Sequence, residues 1–347
     1  MPGARPISRW LALLLVLTAC LATARAEPQT GEASARLKKQ PPSVALSSGS
    51  PKAGEDALSV QPRAGRISLP SLDSSLVFES FSGGDSGAVE YARLKRDDQG
   101  EPLALQTAVL RMVPGDGGPD VDYVDLIGAV HIGEHEYYQR INGLFRQYDV
   151  VLYELVAPRG TRIPRGGGKK RGIIGGMQHS MRKVLGLGLQ LEDVDYHLPN
   201  LVHADLSPDE FRASMEKRNE TISGMIGKVW LAGMGRQHSS AGMRNQMMLF
   251  RNLLSGDSRK ALKIWFASEM ADMNSMRRAM EGKNGSTLLT ERNRKAVQVL
   301  REEIRKGHRR IAIFYGAAHL AGIQELIEKE LGLKPVKIAW LDAWDLR

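Results

Sequence analysis

Cysteine is almost missing. The 347-residue chain has one, Cys20, so no intramolecular disulfide is open to it. Stability must come from a buried core, which a chain of this length can supply. Aromatic residues are sparse, at 6%, and are not interleaved with the basic residues behind the net charge of +9. No nucleic-acid-reading motif accompanies that charge, so no nucleic-acid partner is expected. The charge reads instead as solvated helix faces with some affinity for anionic envelope surfaces. The longest apolar run falls well short of the roughly 20 residues of a membrane-spanning helix.

What the N-terminus does have is a basic start at Arg5 and Arg9, an apolar stretch from Trp10 to Leu17, and small residues up to Ala26. That order is a secretory signal peptide over 1–26. Cleavage after Ala26 gives a soluble form. Cleavage before Cys20, at Leu17-Thr18-Ala19-Cys20, gives a lipoprotein whose membrane association runs through a lipid on Cys20. Both place the protein outside the cytoplasm, in a bacterial cell envelope. Residues 27–69 have almost no aromatic or β-branched side chains and cannot offset their ordering entropy, which predicts a disordered tether.

From residue 70 on, the pattern is that of a mixed α/β domain with a largely parallel central sheet. Short antiparallel strands are expected around 75–79, 88–94 and 105–112. Tyr123–Ile127, a helix over 134–148 and Val150–Leu155 read as a βαβ unit with neighbouring parallel strands. A Gly- and Arg-rich loop over 157–176 leads to a Met-rich helical insertion at about 177–285, in which Ser207 and Pro208 mark a helix start. A helix over 288–306, a strand over 310–315, a helix to Leu331 and a strand over 336–341 complete the reading.

Two distant segments share one design: Gly128-Ala129-Val130-His131 and Gly316-Ala317-Ala318-His319 each end an apolar strand and precede a helix. Glycine allows a tight turn there, and the histidine is delivered to the carboxyl edge of the sheet, where open α/β sheets bind ligands. Glu154 ends a third such strand. Two imidazoles and a carboxylate at one edge form a candidate site for a divalent metal, with Mn, Co or Zn as candidates. Such an ion activates water for hydrolysis without a nucleophilic Ser or Cys. Glu134 and His135 stand close enough to His131 to support it.

These motifs, with Gly133, Tyr138, Tyr153-Glu154-Leu155, Glu291-Arg292-Asn293 and Gly322, resemble the TraB/PrgY/GumN family, which includes the Tiki metalloproteases. The resemblance runs from about Asp122 to the C-terminus. It implies an α/β core with a helical insertion between the motifs and, for Tiki-like members, a metal-dependent peptidase acting on a peptide or protein substrate. It makes His131, Glu154 and His319 the metal ligands or their partners, with Glu154 and Arg292 catalytic. Arg292 would neutralise an oxyanion or hold a carboxylate, and Glu291 and Asn293 would assist. Other members sequester peptide signals, so a noncatalytic binder of a peptide or haem-like ligand is the alternative.

Overall fold

The computed structural model describes residues 76–81, 89–161, 163, 185–224, 227, 258–272, 277, 280–281 and 285–347. The signal segment, Cys20, the tether, most of the Gly- and Arg-rich loop and much of the Met-rich insertion lie outside the described residues.

Ten strands are described: β1 (Glu79–Ser80), β2 (Ala92–Arg96), β3 (Pro102–Pro114), β4 (Tyr123–Ala129), β5 (Ile132–Gly133), β6 (Val150–Tyr153), β7 (Gly188–Leu189), β8 (Leu201–His203), β9 (Arg310–Gly316) and β10 (Leu333–Asp345). The helices are α1 (His135–Phe145), α2 (Gln190–Asp193), α3 (Pro208–Lys217), α4 (Ser258–Ala271), α5 (Arg292–Arg305) and α6 (Ala317–Leu331), with a π-helical turn over Thr287–Glu291 before α5. Ser207 caps α3 in a reciprocal capping box with Glu210, and Pro208 follows it, as the local sequence predicts.

Eight strands form one mixed sheet in the order β1-β10-β3-β4-β9-β6-β8, with β2 added on β3. The β4-β9-β6-β8 half is parallel, and the β1-β10-β3-β4 half is antiparallel. The long strands β3 and β10 pair along almost their whole length, so residues 102–114 are a structural part of the main sheet.

Alternate residues of the central strands enter two apolar layers, following the period of two in a strand. Leu110, Leu126, Ile311, Ile313 and Tyr315 pack with Ala296, Leu300, Leu320 and Ile323 from α5 and α6. Val109, Ile127, Ala312 and Phe314 pack with Ile141, Phe145, Trp265 and Phe266 from α1 and α4. Helices therefore cover both faces, as a buried parallel sheet requires.

One expectation is corrected. β4 and β6 belong to the same sheet but are not neighbours, because β9 lies between them and pairs with both. A helix about 10 Å wide covers two strand positions at about 4.8 Å each, so a single crossover leaves room for one inserted strand. The insertion helps the site: it brings the second Gly-x-x-His strand between the first and the Glu154 strand.

Candidate functional site at the carboxyl edge

The carboxyl ends of β4, β9, β6 and β8 deliver His131, His319, Glu154 and Asp205 to one edge. Ala129 of β4 and Gly316 of β9 are register partners, so the two motifs start side by side. They then diverge. After Gly316 the chain enters α6 at once, placing His319 in the first helical turn, buried at 1% exposure. After Ala129 it makes a bend at His131 and a two-residue strand, β5, before α1 begins. His131 is thereby only partly buried.

The His131 loop is held from several sides. Tyr137 and Tyr138 donate their hydroxyls to the Gly128 and Val130 carbonyls, both at 2.8 Å. Trp344 donates to the Ile132 carbonyl at 2.6 Å, β5 pairs with β7, and the Gln190 N–H donates to the His131 carbonyl at 3.0 Å. Gly128 is a close approach: a Cβ there would lie 3.3 Å from both the Ala108 and Tyr91 carbonyl oxygens.

Arg292 is the centre of the site and is fully buried. Its Nε donates to Asp205 Oδ1 at 2.9 Å, and its Nη2 to Asp205 Oδ2 and to Glu154 Oε1, both at 2.6 Å. Nη1 lies 3.5 Å from the Leu288 carbonyl and 3.4 Å from His319 Nε2. Gly316 N–H donates to Glu154 Oε2 at 2.7 Å, and Asn293 Oδ1 accepts from His319 Nδ1 at 2.7 Å. Arg292 and Asn293 both turn inward at the step from the π-helical turn into α5. Such turns recur at functional sites because the extra residue re-aims side chains.

Electrostatics follow from these contacts. Burial alone would raise the Glu154 pKa, but Arg292, the two imidazoles and the Gly316 N–H outweigh it and hold the carboxyl far below its usual range. Burial pushes His319 down to about 4 against the opposing pull of Glu154, with Arg292 adding to the drop. Since His319 is then neutral at pH 7, the Arg292 charge and the Gly316 N–H keep Glu154 ionised. Burial also lowers His131, against Glu154 and with Arg292, so it too favours the neutral imidazole.

His131, Glu154, His319, Arg292, Asn293 and Gly316 therefore come together as the sequence suggests. Glu134 does not join them: it accepts from Lys263 Nζ at 2.5 Å and from Asp345 N–H, tying α4 to β10. Glu291 faces Arg218 and Arg294 at 3.1 and 2.7 Å, and His135 pairs with Asp193. Asp205 was missed. Its carboxylate is buried in bidentate contact with Arg292, and its only signal in the sequence is a position two residues past a three-residue strand.

Among the described residues no group of three or more His, Cys, Asp or Glu side chains could hold a metal ion. The geometry supplies the reason. The Arg292 guanidinium sits where a shared cation would, binding Glu154 Oε1 and approaching the His319 Nε2 lone pair, while the second Glu154 oxygen is taken by Gly316. A metal on Glu154 and His319 would have to displace Arg292 from two buried carboxylates, so the side chains as arranged do not fit one.

Fold and site together define a three-layer α/β protein with a buried arginine-carboxylate-imidazole cluster at the carboxyl edge of its parallel strands. A model of the TraB/PrgY/gumN family matches residues 206–330, so this part of the chain is similar to that family. The matched stretch holds Arg292, Asn293 and His319; His131, Glu154 and Asp205 precede it. No curated protein and no solved structure matches the chain significantly.

Proposed function

We propose that this protein is a hydrolase of the bacterial cell envelope that cleaves peptide bonds, with His131 as the base that activates water. The observation that carries the reading is a partly exposed, neutral imidazole beside a buried carboxylate held ionised by Arg292 and the Gly316 N–H. Glu154 would stabilise the imidazolium that forms when His131 takes a proton from water, as the buried acid does for the histidine in serine hydrolases. The hydroxide equivalent adds to the carbonyl carbon. The imidazolium then returns the proton to the leaving amine. The N-terminus of the 15-residue helix α6 lies at the same edge, and its positive end favours charge developing on the attacked oxygen.

Purified protein offered a peptide mixture, with products read by mass spectrometry, tests this directly. Cleavage that survives chelator and is lost in His131→Gln supports an imidazole base. Cleavage that appears only with added Mn, Co or Zn overturns that base and restores the metal reading taken from the sequence. Tight peptide binding without products favours the sequestering alternative. Export is a separate arm of the proposal: fatty-acid labelling lost in Cys20→Ala supports the lipid anchor, and a mature N-terminus at Glu27 overturns it.

A further inference from the structure

Beside the arginine cluster stands a second buried polar side chain that the proposed chemistry leaves unused. Gln190 begins α2, is 5% exposed, and is bound through its backbone N–H to the His131 carbonyl at 3.0 Å. Its Nε2 donates to the Tyr196 hydroxyl at 2.9 Å. Its Oε1 is buried and has no hydrogen-bond partner among the described residues. An unpaired buried acceptor is costly, which marks it as placed for a donor. The Gln190 side chain lies within reach of the His131 imidazole, whose protonated form it favours against the lowering by burial.

Tyr196 is itself fixed. Its ring packs edge-on against Tyr153 at 5.2 Å, next to Glu154. The backbone just before it is clamped to α1, since Asn142 Nδ2 donates to the Asp193 carbonyl and Asn142 Oδ1 accepts from the Asp195 N–H, both at 2.9 Å. A chain of contacts thus runs from α1 through Tyr196 to the Gln190 amide.

We infer that Gln190 is the positioning residue of His131: its Oε1 takes the ring N–H, fixes one tautomer and leaves the opposite nitrogen with its lone pair toward the substrate side. The inference rests on His131 being the base of the proposed hydrolase, because a base with two rotating, interconverting tautomers presents its lone pair correctly only part of the time. The role matches that of groups which orient histidine through its second nitrogen in other sites.

The test reads the tautomer itself and so does not need turnover. Protein carrying 15N in its histidine rings is studied by NMR at neutral pH, with His131 assigned from the signals that disappear in His131→Gln. The wild type should show His131 as one tautomer. Gln190→Leu should give a mixture, and Gln190→Glu, which keeps an acceptor, should restore the single form. Tyr196→Phe, which removes only the amide's anchor, should fall between and serves if Gln190→Leu does not fold. An unchanged His131 spectrum in Gln190→Leu, or in Tyr196→Phe where that variant substitutes for it, overturns the inference. Where peptide turnover is measurable, kcat in Gln190→Leu should drop roughly tenfold to a hundredfold with KM little changed. Absence of turnover in the wild type would strike the hydrolase reading and leave the tautomer result standing.

Discussion

At the amino end of the parallel strands, Arg309 pairs with Asp120 and Asp122, and Arg310 Nη2 meets Asp149 Oδ1 at 2.6 Å. At the carboxyl end Arg292 meets Asp205 and Glu154 at the same distance. Residue types and geometry are nearly alike; the surroundings are not. Arg309 and Arg310 are about half exposed, whereas Arg292 is fully buried between carboxylates exposed by 6% or less. Water screens the first cluster and makes it replaceable. The second has no water to fall back on, so each charge depends on the others. Only the dry cluster can hold a carboxylate ionised beside an imidazole while excluding competing partners, and that is why the proposed chemistry is assigned there.

The largest expected effect therefore belongs to Arg292. Arg292→Met should leave two buried carboxylates without their cation and cost about 3–5 kcal/mol in denaturant unfolding. Asp205→Asn should approach the same loss, since it breaks the bidentate pair from the other side. A loss below about 1 kcal/mol for both would erase the contrast between the two ends.

Acidification probes the same dry end. The unfolded chain binds a proton at His319 near the ordinary value of 6.5 and the folded chain only near 4, so stability from this residue is complete above pH 6.5 and lost as pH falls towards 4. Two and a half pH units at 1.36 kcal/mol each give a loss on the order of 3 kcal/mol. The Glu154 contribution has its window lower: with a depressed folded pKa, it is intact above about 4.5 and lost below that. Stability of His319→Gln should be flatter between pH 6.5 and 4 than that of the wild type, while its decline below pH 4.5 remains.

Much of this site can be read from the chain because its parts are local: Gly128 and Gly316 end strands, and the histidines follow at fixed spacing. The apolar periods also give the helix over 288–306 and the strands that flank it. Strand order is not local. Nothing between residues 150 and 310 announces that β9 will enter between β4 and β6, and so the contacts of Glu154 with Gly316 and with Arg292 could not be drawn beforehand. Asp205 was invisible for the same reason, since its meaning comes from Arg292, far away in sequence. Glu134 and Glu291 show the converse: adjacency in sequence to a site residue does not aim a side chain, because a helix start turns successive residues to different faces.

A smaller effect is expected at Gly322, inside α6. Alanine there would gain roughly 1 kcal/mol of helix propensity, but its Cβ would come within 2.5 Å of Asn293 Nδ2. The Asn293 amide would have to swing away from His319, and such overpacking costs about 1–3 kcal/mol. Gly322→Ala should thus lose up to about 2 kcal/mol net, and the ring N–H signal of His319 should shift as its partner leaves. An unshifted signal would mean that Asn293 accommodates the methyl without moving.

The smallest effect belongs to the wet end, and it is the measurement that sharpens the comparison most. Arg310 donates through Nη2 and Nε to Asp149 Oδ1, and the backbone N–H groups of Arg309 and Arg310 both reach Asp149 Oδ2. The side-chain bond with Arg310, aided by those N–H groups, lowers the Asp149 pKa to about 2. Judged by contacts alone, Arg310→Ala ought to rival Arg292→Met. Judged by exposure, it should cost about 0–1 kcal/mol, because the freed carboxylate keeps its two backbone donors and regains water. What little is lost should shrink further as salt is raised, since the screening length falls from about 10 Å at 0.1 M to 3 Å at 1 M, whereas the Arg292→Met loss should hardly respond. Unfolding both variants at the two salt concentrations separates contact from burial. If Arg310→Ala matched Arg292→Met, or if both losses faded with salt, burial would not be what distinguishes the two ends of the sheet.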